Sequence, residues 1–417
     1  MMKYWKLELT CLSPVHIGSG EKLGKNQYVY EKYRYTDKNR EKHEKSLVYF
    51  LNETKWAIWL GQQKFLRDFI GETMNDPQHL SLFTFLKKHY AGYAVHDYLE
   101  RLVKEGVLES AEKVETLEKQ DRTNALNDIS LHIKNSEGRA YIPGSSLKGA
   151  IRTAILVHLI RKNPGKYRKY WDKIQKAVDN AREENRFRRK DNDSWKHEKI
   201  KSSMGSVIDQ MEKEMTIAPD KEGRLDMVNS FFRGLTVSDS TPCSTPPGIV
   251  IKEDLGERPD SDIRTIPIWR ECIMPDQSVT FTLGIDESLM ENMGIHRASD
   301  VVSVLKEFAD FQCSLMEPIW GPIGENDYDD RMYDPNLFLG GGAGYLSKTL
   351  TYALAPSKRE GIQVVKELMQ QEFRKGKHER DRNISPHTLK LAYLEDRDAI
   401  MGMAAVKVVE ELKAAVK

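Results

Sequence analysis

Short stretches in which apolar and polar residues alternate recur along the chain, and such alternation predicts strands with one buried face. In the first stretch, from Trp5 to Cys11, every second residue is apolar. Residues 266–273 and 279–285 surround a Pro275-Asp276 turn, which predicts a β-hairpin. Together with shorter apolar runs, the predicted strands are residues 5–11, 47–51, 129–133, 231–240, 266–273, 279–285 and 345–354.

Apolar residues spaced three or four positions apart predict helices between these strands. One helix follows Pro143-Gly144 and ends before Asn163, and another begins where Ser299 or Asp300 can cap it. The C-terminal tail is rich in alanine, valine, lysine and glutamate, which predicts a final helix. The helical segments are residues 55–70, parts of 76–128, 144–162, 301–315, 362–373 and that tail.

The order of these elements predicts an α+β fold. Each half pairs an initial strand with a helix and a later glycine-rich turn, which is a split βαβ pattern. A chain of 417 residues is long for one core, so we predict two domains, residues 1–245 and 246–417, joined by the proline-rich segment 242–259. Residues 76–128 and 166–221 are expected to be helical or charged insertions.

Charge and cysteine content narrow the functional classes. The 64 basic and 63 acidic residues nearly cancel, so binding of a polyanion needs a local basic patch. The four cysteines form no C-x-x-C pair, and we therefore predict neither a zinc site nor a disulfide framework. The N-terminus interleaves charged and apolar residues, unlike a signal peptide or a membrane span, so a cytoplasmic protein is expected.

Two charged segments allow more than one interpretation. Residues 31–45 are expected to form a mobile loop or an exposed hairpin. Residues 166–221 are either solvated helices or a disordered arm, because charge runs usually lie on solvated surfaces. In the alternative, this segment is a basic arm that touches nucleic acid through Arg186 to Lys190, with Trp171 and Trp195 stacking on bases.

The start of the helix after Pro143 is the most informative stretch. Ser145 and Ser146 can cap the helix, and no Asp or Glu lies in its first turn, so this helix start lacks an anion. Lys148 and Arg152 lie four residues apart on one face near the positive end of the helix dipole. Backbone N–H groups, hydroxyls and two cations at one spot predict phosphate binding; the alternative is that both cations simply point into water.

Two glycine-rich stretches, Ser13 to Gly20 and Gly340 to Thr349, accompany this helix start. Neither matches a nucleotide-binding loop. A P-loop would need glycine at Ser19 and a hydroxyl at Asn26, and a dinucleotide-binding loop would need its third glycine at Tyr345. Both of those nucleotide-binding motifs are therefore excluded.

His16 lies beside a glycine turn at the end of the first strand, where an imidazole can act as general acid or base on a ribose 2′-hydroxyl. The chain would then be a metal-independent endoribonuclease. The alternative is a structural, hydrogen-bonded histidine, since the neighbouring sequence offers no evident second proton-transfer group. Asp239 has the same two interpretations, an active carboxylate or the cap of a turn.

In combination, three motifs resemble those of the RAMP superfamily of CRISPR-Cas proteins, in which ferredoxin-like (RRM-like) domains carry a glycine-rich loop and bind CRISPR RNA. The motifs are Ser13 to Gly20, Ile142 to Arg152 and Gly340 to Gly344. Within the superfamily, the two-domain length and the segments Val237 to Ser240 and Ser385 to Lys390 are similar to the fifth Csm subunit of type III-A effector complexes.

The resemblance implies two ferredoxin-like domains in a non-catalytic subunit without metal or cofactor. Such a subunit caps the end of a Csm complex that holds the 3′ part of the CRISPR RNA, and it takes part in RNA maturation and antiviral defence. Its partners would be the CRISPR RNA, the backbone RAMP subunit, the small Csm subunit and host nucleases. A second alternative is a protein-binding scaffold whose glycine loops dock other subunits.

The residues expected to contact RNA belong to the three glycine-rich motifs. Because no RNP pattern of aromatic residues is visible, base-specific recognition is not predicted, and affinity should rest on phosphates and fall steeply with salt. The expected RNA-binding residues are His16, Gly18, Ser19, Gly20, Gly144, Ser145, Ser146, Lys148, Arg152, Gly341, Gly342, Gly344, Ser347 and Lys348.

Overall fold

A computed structural model shows a mixed α+β protein with two β-sheets, which confirms the predicted fold class at that level. It describes residues 2–75, 80–89, 94–110, 112–115, 126–187, 198–256, 264–323, 334–373, 376–394 and 398–413. The strands are β1 (Met2–Cys11), β2 (Gly18–Leu23), β3 (Tyr28–Thr36), β4 (Lys42–Phe50), β5 (Glu112–Glu115), β6 (Ile129–His132), β7 (Leu235–Val237), β8 (Gly248–Gly256), β9 (Arg264–Cys272), β10 (Ser278–Asp286), β11 (Leu337–Phe338), β12 (Thr388–Tyr393), β13 (Asp398–Ile400) and β14 (Met403–Leu412).

The first sheet has the order β11-β14-β1-β10-β7, and all its neighbouring strands are antiparallel. Strand β1 lies at its centre, with Leu7 opposite Phe281 of β10 and Val408 of β14. The alternate residues of β1 from Trp5 to Cys11 are buried, as the sequence pattern predicts. This strand is therefore fixed by hydrogen bonds on both edges and by apolar packing on one face.

The second sheet follows the order β2-β6-β9-β8-β5-β4-β3, and β12 and β13 extend it from β8. Its pairs are antiparallel except β5 with β8 and β6 with β9, which are parallel. Residues 31–45 belong to the β3–β4 hairpin, and the outer ends of both strands are largely exposed. The exposed-hairpin interpretation of this charged segment is thus confirmed.

Helices cover one face of the first sheet and form the main core with it. Leu7 and Leu283 of the sheet pack in this core with Ile155, Leu305 and Val365 of three helices. The helices are α1 (Glu53–Gln63), α2 (Leu66–Asn75), α3 (Leu82–His89), α4 (Val95–Lys104), α5 (Gly144–Lys162), α6 (Pro164–Phe187), α7 (Glu198–Thr216), α8 (Glu287–Met290), α9 (Ala298–Trp320), α10 (Thr351–Leu354) and α11 (Lys358–Glu372).

Helices α1 to α4 form a separate lobe against the β3–β4 hairpin. Trp56, Trp59, Phe85 and Leu99 of these helices pack with Tyr49 of β4 in a core of their own. The helical pattern predicted for residues 55–70 is confirmed as two helices, and the pattern between 76 and 128 corresponds to α3 and α4 together with strand β5.

The predicted hairpin between residues 266–273 and 279–285 is wrong, because β9 and β10 belong to different sheets. A turn with Asp276 in the left-handed region, at φ 64°, does reverse the chain between them. The turn sets only the change of direction, whereas burial selects the partner strand. Trp269 of β9 packs in the core of the second sheet, and Phe281 of β10 packs in the main core.

Three further predictions of local structure are wrong. The C-terminal tail, predicted as a helix, is strand β14, because pairing with β1 and β11 outweighs the intrinsic helix preference of its Ala, Lys and Glu residues. Residues 345–354, predicted as a strand, form the 3-10 turn Leu346–Lys348 and helix α10. The predicted linker 242–259 contains β8, which lies between β5 and β9 in the second sheet.

The division at residue 245 stays a prediction, and both sheets contain strands from both sides of it. In the first sheet, β1 is hydrogen-bonded to β10 and β14. In the second sheet, β6 pairs with β9 and β5 pairs with β8.

Replacement of Leu7 by Ala should lower the free energy of unfolding by about 2–5 kcal/mol, because Leu7 is fully buried at the centre of the first sheet. Lys3→Ala on the same strand should change it by less than about 0.5 kcal/mol, since its ion pair with Glu287 is exposed. Urea denaturation followed by circular dichroism measures both. Equal effects of the two variants would contradict the central position of β1.

Candidate nucleic-acid interface

Helix α5 begins where the sequence predicts, but its first turn is occupied differently. The N–H of Gly144 donates a hydrogen bond of 2.8 Å to the Asp239 carboxylate, which follows strand β7. A Cβ at Gly144 would lie 2.3 Å from the carbonyl oxygen of Val237, so only glycine permits this close approach. The prediction that this helix start lacks an anion is therefore wrong, because the fold brings Asp239 to it.

The two cations of α5 have different surroundings. Arg152 forms an ion pair with Glu212 of α7, and its guanidinium lies 5.7 Å from the centre of the Phe232 ring. Lys148 is half-buried, its pKa is lowered by burial, and it has no ion-pair partner among the described residues. A phosphate at this helix start would thus have to compete with Glu212 for Arg152, whereas Lys148 is available.

The serines at this helix start differ in exposure. Ser145 is exposed, and Ser146 is half-buried with its N–H bonded to the carbonyl of Pro143 at 2.9 Å. Ser145 is therefore accessible to a partner, whereas Ser146 is partly enclosed by its own helix turn.

The two glycine-rich loops meet each other directly. The N–H of Gly341 donates a 2.7 Å hydrogen bond to the carbonyl of His16, and the N–H of Gly402 donates a 2.9 Å bond to the carbonyl of Pro14. Gly340 has φ +88°, and a Cβ there would lie 2.3 Å from the His16 oxygen. A glycine is thus required on two grounds, conformation and space. The structure brings together two of the three predicted motifs.

Two cations flank this meeting point. Arg270 of β9 places its Nη1 3.1 Å from where a Cβ of Gly342 would lie and 3.9 Å from the sulfur of Met401. Lys348 lies close enough for its charge and that of Arg270 to disfavour each other. We call His16, Arg270, Lys348 and the adjoining turn Gly340–Gly342 the loop junction.

Electrostatics at the loop junction favour an added anion. Burial lowers the pKa of Lys348, and the positive charge of Arg270 lowers it further. Burial also lowers the pKa of Arg270, while Asp254 opposes that shift from a distance. Within the described part of the chain, neither cation has an ion-pair partner. A phosphate placed here would relieve the repulsion between them.

Other predicted residues of the two loops have structural roles or stay accessible. The hydroxyl of Ser347 is buried and donates to the carbonyl of Gly344 at 3.0 Å, so it stabilises its own loop. Gly18, Ser19 and Gly20 are exposed at the start of β2, and the Ser19 hydroxyl lies 3.4 Å from the carbonyl of Leu131. Residues 18–20, the exposed start of β2, therefore remain open to a partner.

His16 is buried, and its Nδ1 donates to the carbonyl of Glu271 at 2.7 Å. Burial lowers its pKa, although the hydrogen bond to Glu271 opposes the shift. A second histidine that sequence reasoning missed, His132 of β6, lies edge-on with the ring centroids 6.2 Å apart. Its Nδ1 donates to the carbonyl of Ile133, and burial lowers its pKa to about 4. Both imidazoles are therefore neutral near pH 7.

A buried charged network holds β6 and β9 beneath the junction. Glu271 is fully buried. Its carboxylate accepts a 2.8 Å hydrogen bond from the backbone N–H of His132 and forms an ion pair with Lys134. Lys134 also lies 2.9 Å from the carboxylate of Glu112. Burial and the nearby Glu271 raise the pKa of Glu112 well above its usual range, which favours its protonated form.

Sequence reasoning also missed Arg270. The signal available was the adjacent pair Arg270-Glu271 within the otherwise apolar end of β9. Two charged residues in such a strand indicate either an exposed position or a buried network, and here Arg270 is partly buried and Glu271 is fully buried in a network. Alternation along the sequence cannot distinguish these cases.

The charged insertion gives a mixed result. Helices α6 and α7 pack against each other, which confirms solvated helices for the described part of residues 166–221. Trp171 is fully buried in the main core, so the prediction that it stacks on bases is wrong. The apolar surface of the Trp171 ring packs against neighbouring core residues. Trp195 and residues 188–190 lie outside the described residues.

Comparison with a protein-family model shows the class of protein to which the chain belongs. A family model for the RAMP superfamily matches residues 8–331, and the chain belongs to that superfamily, as the resemblance predicts. The first two motifs lie within the match, and Gly340 to Gly344 lies beyond it. In the described segments, none of the helices combines the length and apolar character needed to cross a membrane.

Within this class, the chain is similar to proteins named Csm5. It is 25% identical over 363 residues to the CRISPR system Cms protein Csm5 of Streptococcus thermophilus, covering 83% of this chain and 80% of the relative. It is 24% identical over 366 residues to the protein of that name from Mycobacterium tuberculosis (strain CDC 1551 / Oshkosh), covering 84% and 83%.

A solved structure shares the fold. A chain in the cryo-EM structure of a Csm-crRNA-target RNA ternary complex of a type III-A CRISPR-Cas system superimposes with a TM-score of 0.54. The two sequences are 20% identical, and the superposition covers 98% of this chain and 100% of that chain.

The low pKa of His132 predicts a loss of stability in acid. Its pKa is 6.5 when unfolded and about 4 when folded, so between these values the unfolded chain binds a proton that the folded chain does not. The free energy of unfolding should fall from pH 6.5 to pH 4 by up to about 3 kcal/mol more in the wild type than in His132→Asn. Urea titrations across this pH range measure the difference. Parallel pH profiles would contradict a buried neutral His132.

Proposed function

We propose that the chain is an RNA-binding subunit of a type III-A CRISPR-Cas (Csm) effector complex. It contacts CRISPR RNA through phosphates at the loop junction and caps the end of the complex that holds the 3′ part of the RNA. It supports RNA maturation and antiviral defence without a catalytic step of its own. Support comes from its superfamily, from its similarity to proteins named Csm5 and from the shared fold with a chain of a Csm complex.

The observation that carries the proposal is the pair of cations at the loop junction. Arg270 and Lys348 repel each other, lack carboxylate partners among the described residues, and lie beside a glycine turn. Glycine turns let a sugar-phosphate backbone approach the protein closely, and cations supply the attraction to phosphates. Lys148 and residues 18–20 at the exposed start of β2 are proposed as further contacts with RNA, together with the exposed Ser145.

Partners follow from the same proposal. The chain would stack on the backbone RAMP subunit, lie near the small Csm subunit and give host nucleases access to the RNA end. The fold would correspond to two ferredoxin-like domains, residues 1–245 and 246–417. Each of the two sheets contains strands from both of these domains. The predicted scaffold alternative would require assembly without direct RNA contacts at the loop junction.

The proposal predicts that Arg270→Ala combined with Lys348→Ala weakens binding of a labelled repeat-spacer RNA at least about tenfold at moderate salt. Each lost phosphate contact should also reduce the slope of log affinity against log salt by about 0.7. Fluorescence anisotropy at several salt concentrations measures both quantities. Lys162→Ala, an exposed cation at the far end of α5, is the matched control and should bind RNA normally.

Lys148→Ala separates the helix start from the loop junction. A modest loss with this variant, compared with the double variant, is expected because Lys148 is a single half-buried cation. If the double variant has the same RNA affinity and the same salt dependence as the wild type, the proposed interface is wrong. Crosslinks to other Csm subunits without crosslinks to RNA would favour the scaffold.

The same RNA tests the endoribonuclease alternative. The proposal expects the RNA to remain intact with the purified chain, in EDTA and in Mg²⁺. Site-specific cutting in EDTA that disappears in His16→Gln would replace the proposal with metal-independent cleavage. His132→Asn would then show whether the second imidazole of the pair takes part.

A further inference from the structure

A second cluster of chemically active side chains lies in the segment between α11 and β12, apart from the loop junction. The 3-10 turn His378–Arg380 and the loop after it bring His378, Asp381 and His387 together. We propose that these three residues bind a divalent transition metal of the zinc type. The inference is independent of the proposed RNA-binding function.

The geometry of the three side chains suits a metal. One ligand atom of each lies within 4.8 Å of the other two. The Nδ1 of His378 is 3.0 Å from Asp381 Oδ2, and the Nδ1 of His387 is 2.5 Å from Asp381 Oδ1. Ligand atoms about 2.0–2.2 Å from a tetrahedral zinc ion lie roughly 3–3.5 Å apart, so shifts of an ångström or less would complete the site.

Burial favours one well-defined site over a loose surface contact. The carboxylate of Asp381 has no exposed surface, and the side chain of His378 is 9% exposed. The imidazole rings of His378 and His387 lie 4.7 Å apart and are tilted by 49°, so both face the carboxylate between them. Two histidines and one carboxylate form a common protein ligand set for zinc and for iron(II).

A neighbouring hydroxyl orients the carboxylate of Asp381. The hydroxyl of Ser385 donates to Asp381 Oδ2 at 2.6 Å, as second-shell groups do for metal-ligating carboxylates. Asp381 also borders a cavity of about 730 Å³ between α11 and this loop.

The absence of a C-x-x-C pair predicts no zinc site, whereas this cluster contains no cysteine. His378 and His387 are nine residues apart, and Asp381 lies between them at no regular spacing. The turn and the loop bring them together only in the folded chain. A bound ion would fasten α11, which packs in the main core, to β12, which pairs with β8 of the second sheet.

The competing explanation is a hydrogen-bonded network, in which both imidazoles donate protons to a buried carboxylate and no ion binds. The two explanations differ in the number of metal ions bound per chain. They also differ in the protons on the ligand nitrogens, because a metal must displace the protons that these atoms carry. The experiment uses the purified full chain, stripped with EDTA and then dialysed against micromolar Zn²⁺. Bound zinc is measured by elemental analysis, and Co²⁺ replaces zinc for visible spectroscopy.

We expect one equivalent of zinc, intense visible absorption of bound Co²⁺ typical of tetrahedral coordination, and a higher melting temperature with zinc than with EDTA. Asp381→Asn should weaken zinc binding by tenfold to a hundredfold and abolish the visible absorption of bound Co²⁺. The matched control is His43→Gln in the exposed Asp37-Glu41-His43 group, which should leave stoichiometry and spectrum unchanged.

His387→Gln keeps the test valid if Asp381→Asn fails to fold, because His387 is partly exposed and its replacement is better tolerated. Circular dichroism verifies folding of each variant. Absence of bound zinc and of a Co²⁺ spectrum in the wild type would overturn the proposal in favour of the hydrogen-bonded network. Binding that persists in His387→Gln, or that is lost in His43→Gln, would overturn it as well.

Discussion

The central position of β1 in the first sheet is the constraint on which the rest of the structure depends. Because β10 and β14 both run antiparallel to β1, the end of β1 meets the beginnings of both strands. Residues 13–20 and 400–402 therefore lie at the same end of the strands, and β11 brings the turn after Phe338 to that end. A slip of one residue would turn Leu7 from the core to solvent, so the register holds the loop junction in place.

The two glycine-containing sites use positive charge in opposite ways. At the start of α5, the helix dipole and the Gly144 N–H are stabilised internally by Asp239, and Arg152 is paired with Glu212. At the loop junction, Arg270 and Lys348 stay close without such compensation from the described residues. A local excess of charge in a chain of nearly zero net charge is what binding of a polyanion requires.

Buried polar groups connect stability with function in this molecule. Glu271 lies on one side of β9 and is neutralised by Lys134, while the preceding residue, Arg270, points to the other side at the junction. Removal of one partner from such a network leaves a buried charge unpaired, which is strongly destabilising. The rigid network therefore fixes the backbone of β9, and with it the position of Arg270.

The sequence by itself determined the elements whose apolar period matches their final state, such as β1, α5 and α11, and the resemblance to the superfamily, whose family model includes two of the three motifs. Only the tertiary structure decided the partner of each strand: it separated β9 from β10 and made the helix-forming tail into β14. It also supplied Asp239 to α5, and it brought Arg270 to the loop of His16. The physical reason is that local patterns report which face of an element is buried, whereas hydrogen-bonded pairing and charge compensation depend on residues far apart in the chain.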